Sequence, residues 1–335
     1  MITYKSAGVD VSRIKKSQSA IGRIISSTHS GIVKSGFGHY AGLVGIHGGK
    51  YLATHTDGVG TKVIIANLLK KYDTIGIDCV AMNVNDIICI GAAPISFVDY
   101  IAANKNNESV FVDIAKGLAV GAKKSGMPIV GGETAIMPDL FEEKKFAFDL
   151  AGMVAGIVDK NKVIMGDKIK PGDIIIGLAS TGIHSNGYSL ARKALLKKYS
   201  ISDTVKGLGK IGQAMLTPTE IYVKPVLDAI SKCQIHGLAN ITGGAFTKLL
   251  RLKRAGFVLD MMPEPPKIMQ LIENLGVTNE EMHKTFNMGV GFCIIAPKSE
   301  VNKIMSICTK HKITSYEIGH VSEKSGVFVN NKRLA

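Results

Sequence analysis

The longest apolar region of the chain, residues 75–98, limits what the chain can fold into. Four polar residues interrupt it: Asp78, Asn83, Asn85 and Asp86. It therefore lacks the span of about 20 apolar residues that a membrane helix needs. Apolar residues recur at helical spacing within it, at positions 77, 80, 81, 84, 87 and 88. Gly91 follows as a typical helix end, so the sequence predicts a buried helix followed by a strand.

The polar residues of this helix allow two interpretations. Asp78 and Asn85 are seven residues apart, nearly two turns, and therefore share one face, with Asp86 alongside. The face could be solvated, as charged helix faces usually are. However, Asp and Asn are poor helix formers and good oxygen ligands for a hard cation, whereas solvated faces usually carry Lys and Glu.

Strands and helices are mixed in both halves of the chain, which indicates an α/β (α+β) protein. Residues 1 to about 40 are polar and rich in glycine, and we expect a mobile or wrapping segment there. A Gly48-Gly49 hairpin turn joins two strand candidates, at 43–46 and 51–54. The turn cluster at 168–173 divides the chain into an N-terminal domain, 1–167, and a C-terminal domain, 168–335.

Composition narrows the class of protein. The 335 residues carry a net charge of +14, which raises the question of nucleic-acid binding. The basic residues are spread in runs of at most two and the chain has no Trp, so nucleic acid is an improbable partner. The five cysteines have no paired spacing and the N-terminus lacks an apolar signal core, so we expect a cytoplasmic protein.

The stretch ATHTDGVGTK, residues 53–62, looks like a P-loop at first sight. The P-loop pattern requires a glycine, four residues and then Gly-Lys-Ser/Thr, whereas here the order is Gly-Thr-Lys and one residue separates the glycines. A glycine turn before a helix can still bind an anion, but Asp57 adds a carboxylate. An acid beside phosphate oxygens indicates a cation between them.

A second acidic motif, Gly131-Gly132-Glu133-Thr134, follows a short apolar strand. A tight turn explains the glycine pair equally well. Together with Asp57 and Asp86, Glu133 provides a third acid at or after a strand end. Such a set is typical of Mg²⁺ held between carboxylates and nucleotide phosphates.

The second half contains the loop STGIHSNG, residues 180–187, before a predicted helix. Hydroxyls, glycines and an imidazole at a helix N-terminus suit a phosphate monoester, and His184 could also move a proton. An Asn-Gly turn with capping hydroxyls is the alternative.

Seven segments in this order resemble one family nearly end to end. They are 3–10 (TYKSAGVD), 56–62 (TDGVGTK), 73–78 (DTIGID), 81–86 (AMNVND), 131–135 (GGETA), 184–189 (HSNGYS) and 286–291 (FNMGVG). The family is phosphoribosylformylglycinamidine cyclo-ligase, or aminoimidazole ribonucleotide synthetase, of purine biosynthesis. Thiamine monophosphate kinase and selenophosphate synthetase share part of the layout, but the last two segments resemble the cyclo-ligase.

The resemblance implies a two-domain subunit whose N-terminal strands form a β-barrel across a homodimer. It implies that ATP and formylglycinamidine ribonucleotide give aminoimidazole ribonucleotide, ADP and phosphate. In that family ATP phosphorylates the formyl oxygen, and an amidine nitrogen then closes the ring as phosphate leaves. Mg²⁺ and positive side chains would offset charge on the transferring group.

The resemblance also assigns roles to individual residues. The positions expected to bind ATP are Asp57, Gly58, Gly60, Thr61, Lys62, Asp86 and Glu133, and Mg²⁺ would bind the three acids among them. The catalytic candidates are His184 and Lys5, with Lys5 on a segment expected to cover the site. Ser185 and Asn186 are expected near the substrate. Three residues depart from the family pattern. Ile136 stands where Glu is common, Ala245 where Gly is common, and Met288 where Cys is common.

Overall fold

The structure is a computed structural model that describes residues 3–35, 38–141 and 145–335. The first half of the chain forms one open five-stranded sheet with helices on one face. Its helices are α1 (Val11–Ser26), α2 (Val63–Leu69), α3 (Ile75–Ile87) and α4 (Glu108–Ser125). Its strands are β1 (Gly42–Ile46), β2 (Lys50–Gly58), β3 (Ala93–Ala103), β4 (Ile129–Ile136) and β5 (Phe148–Asp159).

The strand order of this first sheet is β1-β2-β5-β3-β4, in which only β3 and β4 run parallel. Along β5 the even-numbered residues are buried and the odd-numbered ones are partly or fully exposed. One face of the sheet therefore packs on helices, and the other face, which includes Tyr100 and Met153, is open. β4 forms one edge of the sheet, and at the other edge β1 pairs briefly with the preceding segment, where Val44 bridges Val33 and the Lys34 N–H donates to the Leu43 carbonyl (2.8 Å).

The structure specifies one expectation for the first half and corrects another. The segment expected to be mobile or wrapping contains the helix α1, and its first residues contact the second half as a wrapping segment would, with the Tyr4 N–H donating to Glu281 (2.7 Å). The GGET motif is not a turn, because it lies within β4. A Cβ at Gly132 would come within 2.5 Å of Asp99 Oδ1, so glycine there admits a neighbouring side chain of the sheet.

The second half forms a seven-stranded sheet of order β14-β13-β10-β12-β6-β11-β9. Its strands are β6 (Ile174–Ala179), β9 (Gly237–Asn240), β10 (Gly256–Leu259), β11 (Val290–Ala296), β12 (Ser315–Ser322), β13 (Gly326–Val329) and β14 (Lys332–Arg333), with β7 (Thr204–Val205) and β8 (Gly209–Lys210) pairing separately. The helices are α5 (Tyr188–Leu195), α6 (Ile211–Leu216), α7 (Val223–Lys232), α8 (Lys267–Asn274), α9 (Asn279–Thr285) and α10 (Val301–Lys310).

Helix α3 lies between the two halves, as its apolar sequence predicts. All of its residues except Ile77 are buried. It approaches α4 closely, since a Cβ at Gly76 would come within 2.2 Å of the backbone nitrogen of Leu118. Its polar residues therefore face protein rather than solvent. Among the described helices, none is long and apolar enough to cross a membrane.

Candidate active site between the two halves

The first acid of α3, Asp78, binds protein partners from both halves of the chain. It forms an ion pair with Lys62 (2.8 Å) and accepts hydrogen bonds from the Thr219 N–H (2.7 Å) and hydroxyl (2.6 Å). Lys62 Nζ also donates to the carbonyl of Thr217 (2.6 Å). Asp78 and Lys62 are completely buried. This ion pair therefore joins the first half to the second.

The two asparagines of α3 also bind backbone. Asn85 accepts from the Tyr222 N–H (3.0 Å) and donates to the Glu220 carbonyl (2.8 Å). Asn83 accepts from the Asp57 N–H (2.9 Å) and donates to the Asp57 carbonyl (3.0 Å). The interpretation of this face as solvated is therefore wrong, because Asn85 is hydrogen-bonded to the second half and Asn83 is hydrogen-bonded within the first half.

Lys62 differs from its expected role as a phosphate contact. Burial lowers the pKa of its ammonium group, and the paired Asp78 carboxylate raises that pKa. With no exposed surface and two partners at hydrogen-bonding distance, Lys62 is directed away from the glycine turn. The sequence alone could not predict this, since the partners lie 16 and 155 residues away.

Asp57 and Asp86 form a second acidic pair. Burial raises the pKa of the Asp57 carboxyl, and the nearby Asp86 charge raises it further, while His55 and the Gly58 N–H lower it. Asp86 accepts a hydrogen bond from Asn240 Nδ2 (2.6 Å), and its other oxygen lies 3.4 Å from His55 Nε2. The pair therefore lies between β2, α3 and the end of β9.

The second half of the chain contributes positive charge to this centre. Lys248 is buried and donates to the Thr242 hydroxyl. Burial lowers the pKa of the Lys248 ammonium, and Asp86 and Asp57 raise it. Lys248 and Arg251 lie 5.7 and 6.0 Å from the centre of the Tyr40 ring.

Several buried polar atoms around this centre have no hydrogen-bond partner among the residues that the structure describes. They are His39 Nδ1 and Nε2, Tyr40 Oη, His55 Nε2 and Asn240 Oδ1. Unpartnered buried polar atoms are costly and rare in folded proteins. Their accumulation here indicates that a polar ligand or water completes the centre.

Two carboxylates beside these groups fit a magnesium–nucleotide site. Mg²⁺ is usually held by one or two carboxylates together with substrate phosphates and water. Within the described residues, no group of three or more His, Cys, Asp or Glu side chains could hold a metal ion by itself. Asp57 and Asp86 therefore fit a cation that phosphate oxygens help to bind.

Glu133 does not join these two acids within one chain. The register places it beside Tyr100, which pairs with Ala151, which in turn pairs with Gly58. Glu133 is therefore three strands from β2, about 14 Å. Across the sheet Glu133 is level with Gly58, the residue after Asp57. Its side chain therefore projects to the face opposite that of Asp57, which is the open face.

The glycine turn lies directly beside Asp57. Gly58 ends β2, and Gly60, with φ of 67°, begins a single 3₁₀ turn that leads into α2. Gly60 and Thr61 are exposed, and the Thr61 carbonyl accepts from Arg192 (2.9 Å). The backbone of this turn is therefore accessible to a ligand.

His184 is fixed as a neutral side chain. Its φ of 63° is in the left-handed region, and burial, assisted by the Lys62 charge, lowers its pKa to about 3. Nε2 accepts the Thr181 N–H (3.2 Å), so the proton is on Nδ1, which has no partner. A Cβ at Gly291 would come within 2.5 Å of the imidazole, so glycine makes room for it.

The remaining predicted residues lie near the junction of the halves. Ser185 contacts the Thr219 hydroxyl (3.2 Å), and Asn186 Nδ2 lies 3.9 Å from the sulfur of Met82. Lys5 is exposed and forms a salt bridge with Asp10 (3.3 Å), so its ammonium does not reach the acidic pair.

Sequence reasoning missed four groups: His55, Asp99, Asn240 and Lys248. His55 lies in the analysed stretch 53–62, and Lys248 follows the Gly243-Gly244 pair by four residues. Asp99 is half-buried on the face that Asp57 occupies, and burial raises its pKa. Periodicity gave no signal for any of them, because each is placed by contacts distant in sequence.

Comparison with known proteins identifies the family. Residues 38–158 match the family described as AIR synthase related protein, N-terminal domain, and residues 170–331 match its C-terminal domain. Phosphoribosylformylglycinamidine cyclo-ligase of Pyrococcus horikoshii is 49% identical over 326 residues, 96% of this chain and 95% of that protein. The protein of the same name from Methanocaldococcus jannaschii is 47% identical, over 96% of this chain and 92% of that protein.

Solved structures share the fold at low sequence identity. Thiamine-monophosphate kinase from Stenotrophomonas maltophilia matches with a TM-score of 0.66 and 17% identity, over 93% of this chain and 96% of that one. T. maritima PurL complexed with ADP matches with a TM-score of 0.60 and 15% identity, over 91% of this chain and 46% of that one. Because the sequence relatives match nearly end to end, the chain belongs to the phosphoribosylformylglycinamidine cyclo-ligase family.

Proposed function

We propose that this protein converts formylglycinamidine ribonucleotide and ATP to aminoimidazole ribonucleotide, ADP and phosphate. One observation carries this proposal, the 49% identity over 96% of the chain to a relative named for that activity. The pairing of Asp57 with Asp86 beside an accessible glycine turn supports it.

The chemistry requires that a poor leaving group become a good one. The formyl oxygen attacks the γ-phosphorus of ATP, and the bond from that phosphorus to the ADP oxygen breaks. An amidine nitrogen then attacks the activated formyl carbon, and the ring closes as phosphate departs with the former formyl oxygen. The attacking nitrogen loses its proton, and a proton shift from the ring CH2 to the exocyclic imine nitrogen completes the aromatic aminoimidazole. Catalysis of the first step consists mainly of positioning and charge stabilisation.

Asp57 and Asp86 would hold Mg²⁺, which neutralises charge on the phosphates when bound. The backbone of Gly58, Gly60 and Thr61 would approach the phosphates from the same side. Lys248 supplies the buried positive charge that we expected from Lys62. The structure of T. maritima PurL complexed with ADP supports a nucleotide on this fold.

We assign His184 a positioning role. Its neutral imidazole holds the Thr181 N–H and thereby shapes the loop that carries Ser185 and Asn186. Those two side chains would contact the substrate, and Lys5 would approach it only if the first segment moved. A buried, uncharged imidazole is poorly suited to proton transfer at neutral pH.

The open face of the first sheet supports a homodimer in which strands of two copies form a barrel. Tyr100 and Met153 are 41% and 43% exposed on this face, although both are large and apolar. Glu133 projects to the same face, so a partner subunit would cover it. Light scattering of Met153→Lys should show a monomer, whereas Met261→Lys, an exposed methionine elsewhere, should remain dimeric. A dimeric Met153→Lys variant would exclude the shared barrel.

We also propose a domain boundary near residue 168 and a cytoplasmic location. The gap between the two family matches, residues 159–169, supports domains of 1–167 and 168–335. The five cysteines are free thiols, which fits the reducing cytoplasm.

The direct test uses purified protein with ATP, Mg²⁺ and formylglycinamidine ribonucleotide. We expect the aminoimidazole product and ADP in equal amounts. Thiamine monophosphate with ATP serves as the alternative substrate, because thiamine-monophosphate kinase shares the fold. ADP release with thiamine monophosphate and none with formylglycinamidine ribonucleotide would overturn the proposal. Random DNA should not bind at physiological salt.

A further inference from the structure

A cleft of about 1230 Å³ opens at one end of the first sheet, between α2, the start of α4 and the start of β5. We propose that this cleft is a second binding site, specific for a purine nucleoside monophosphate. Its volume is ample for a nucleotide, since ligand pockets usually measure about 300–1,000 Å³.

One wall of the cleft is aromatic. Tyr72, Phe146 and Phe148 pack together, with ring centres 6.4 Å apart for Tyr72 and Phe146 and 5.6 Å apart for the two phenylalanines. Ile64 and Leu68 of α2 extend this wall and are 39% and 53% exposed. Aromatic and apolar side chains of this kind bind the flat faces of nucleotide bases.

Positively charged side chains also line the cleft. Lys70, Lys105 and Lys145 line the cleft, and none of them forms an ion pair with another described residue. The lining acid Asp113 is paired with Lys116 (2.8 Å), which reduces its effect. The 18-residue helix α4 begins at the cleft, where Asn107 caps it by accepting the Val110 N–H. Three lysines and the positive end of a helix dipole favour a phosphate group.

Asn67 distinguishes a purine nucleotide from a simple anion. Its Nδ2 donates to the Phe146 carbonyl (3.1 Å), whereas its buried Oδ1 has no hydrogen-bond partner among the described residues. A buried acceptor without a donor is costly, and a donor group of a ligand would satisfy it. The amino group of adenine is such a donor, and inorganic phosphate offers no base to place against the aromatic wall.

The cleft is distinct from the centre built around Asp57 and Asp86. All of its lining residues lie between positions 63 and 148, and none belongs to the second half of the chain. The acidic centre, in contrast, depends on Asn240 and Lys248. Since α2 directly follows the glycine turn, a ligand bound along α2 would be placed to influence that turn.

The test is calorimetric titration of the full-length protein with AMP. We expect Lys105→Ala/Lys145→Ala to raise the Kd for AMP at least tenfold. The control Lys123→Ala/Lys298→Ala, which removes two exposed lysines elsewhere, should leave the Kd unchanged, as should Asp86→Asn. Ribose 5-phosphate should bind at least tenfold more weakly than AMP.

Three results would overturn the proposal. The first is no binding of AMP at millimolar concentration. The second is an AMP affinity that Asp86→Asn weakens and the cleft lysines do not affect, which would place the nucleotide in the acidic centre. The third is equal affinity for AMP and ribose 5-phosphate, which would show that the cleft recognises only phosphate. Melting curves of all variants verify that each is folded.

Discussion

Two largely buried acidic regions, about two turns apart on the same helix, behave in opposite ways. Asp78 has an ion pair with Lys62 and two hydrogen bonds from Thr219, and every one of these partners is protein. Asp86 faces a second carboxylate, Asp57, and a group of polar atoms without partners. Both regions are largely buried, yet only the first pairs its carboxylate with a lysine at 2.8 Å.

Asp78 joins the two halves of the chain, whereas we expect Asp86 to bind a ligand. A buried charge is tolerated when a partner and hydrogen bonds compensate its desolvation. Like charges placed together without such compensation occur where function requires them. Partner satisfaction, rather than burial or residue type, therefore distinguishes the two regions.

The largest effect should come from removing the Asp78 carboxylate. Asp78→Ala leaves the Lys62 ammonium buried and unpaired, and removal of one partner of a buried ion pair costs about 3–5 kcal/mol. Chemical denaturation should show this loss in the free energy of unfolding. The matched control is Lys62→Met/Asp78→Leu, which removes both charges and should cost clearly less. Equal losses in the two variants would show that the charge is not the cause.

The second effect concerns Asp86, beside Asp57. Asp86→Asn should lower kcat/KM on the order of 10²-fold, because it removes charge that would hold the cation on the phosphates. Stability should stay the same or rise, since Asp57 loses a like-charged neighbour. Turnover and melting temperature measure both quantities, with the exposed Asp260→Asn as control. Near-full activity at limiting Mg²⁺ would remove Asp86 from the cation site.

The third effect concerns the pH dependence of stability, to which the neutral His184 contributes. Its folded-state pKa of about 3 is below the ordinary 6.5, so the unfolded chain takes up the proton first as pH falls. This group therefore costs stability below pH 6.5, by roughly 1.4 kcal/mol per pH unit down to its folded pKa. His184→Gln should flatten the loss of stability between pH 6.5 and 5, unlike the exposed His29→Gln. Unchanged slopes would mean that the imidazole is protonated in the fold.

The smallest effect concerns Ala245, which precedes Lys248 by three residues. Ala245 is buried with φ of 42°, in the left-handed region where glycine is favoured, and it stands where the family commonly has glycine. Ala245→Gly should relieve strain and raise stability by about 0.5 kcal/mol after the entropic cost of glycine. Denaturation midpoints can resolve this, with Ala214→Gly in α6 expected to destabilise. A destabilised Ala245→Gly variant would show that the loop stores no strain.

Much of the fold could be predicted from local pattern. Helical spacing and Gly91 gave α3 and its end, and the Gly48-Gly49 pair gave the first hairpin. Interpretation of local pattern failed at α1, a helix within the segment expected to be mobile or wrapping, and at the GGET segment, where glycines indicate a turn unless a neighbouring strand pairs with them.

For the site, the sequence by itself determined which chemical groups are available. It supplied Asp57, Asp86 and the glycine turn, and it supplied the motifs that identify the family. Only the tertiary structure decided that Asp78 and Lys62 neutralise each other while Asp86 and Asp57 do not. The physical reason is that desolvation and pairing depend on atoms within a few ångströms, and the decisive partners, Thr219 and Asn240, lie 141 and 154 residues away in sequence.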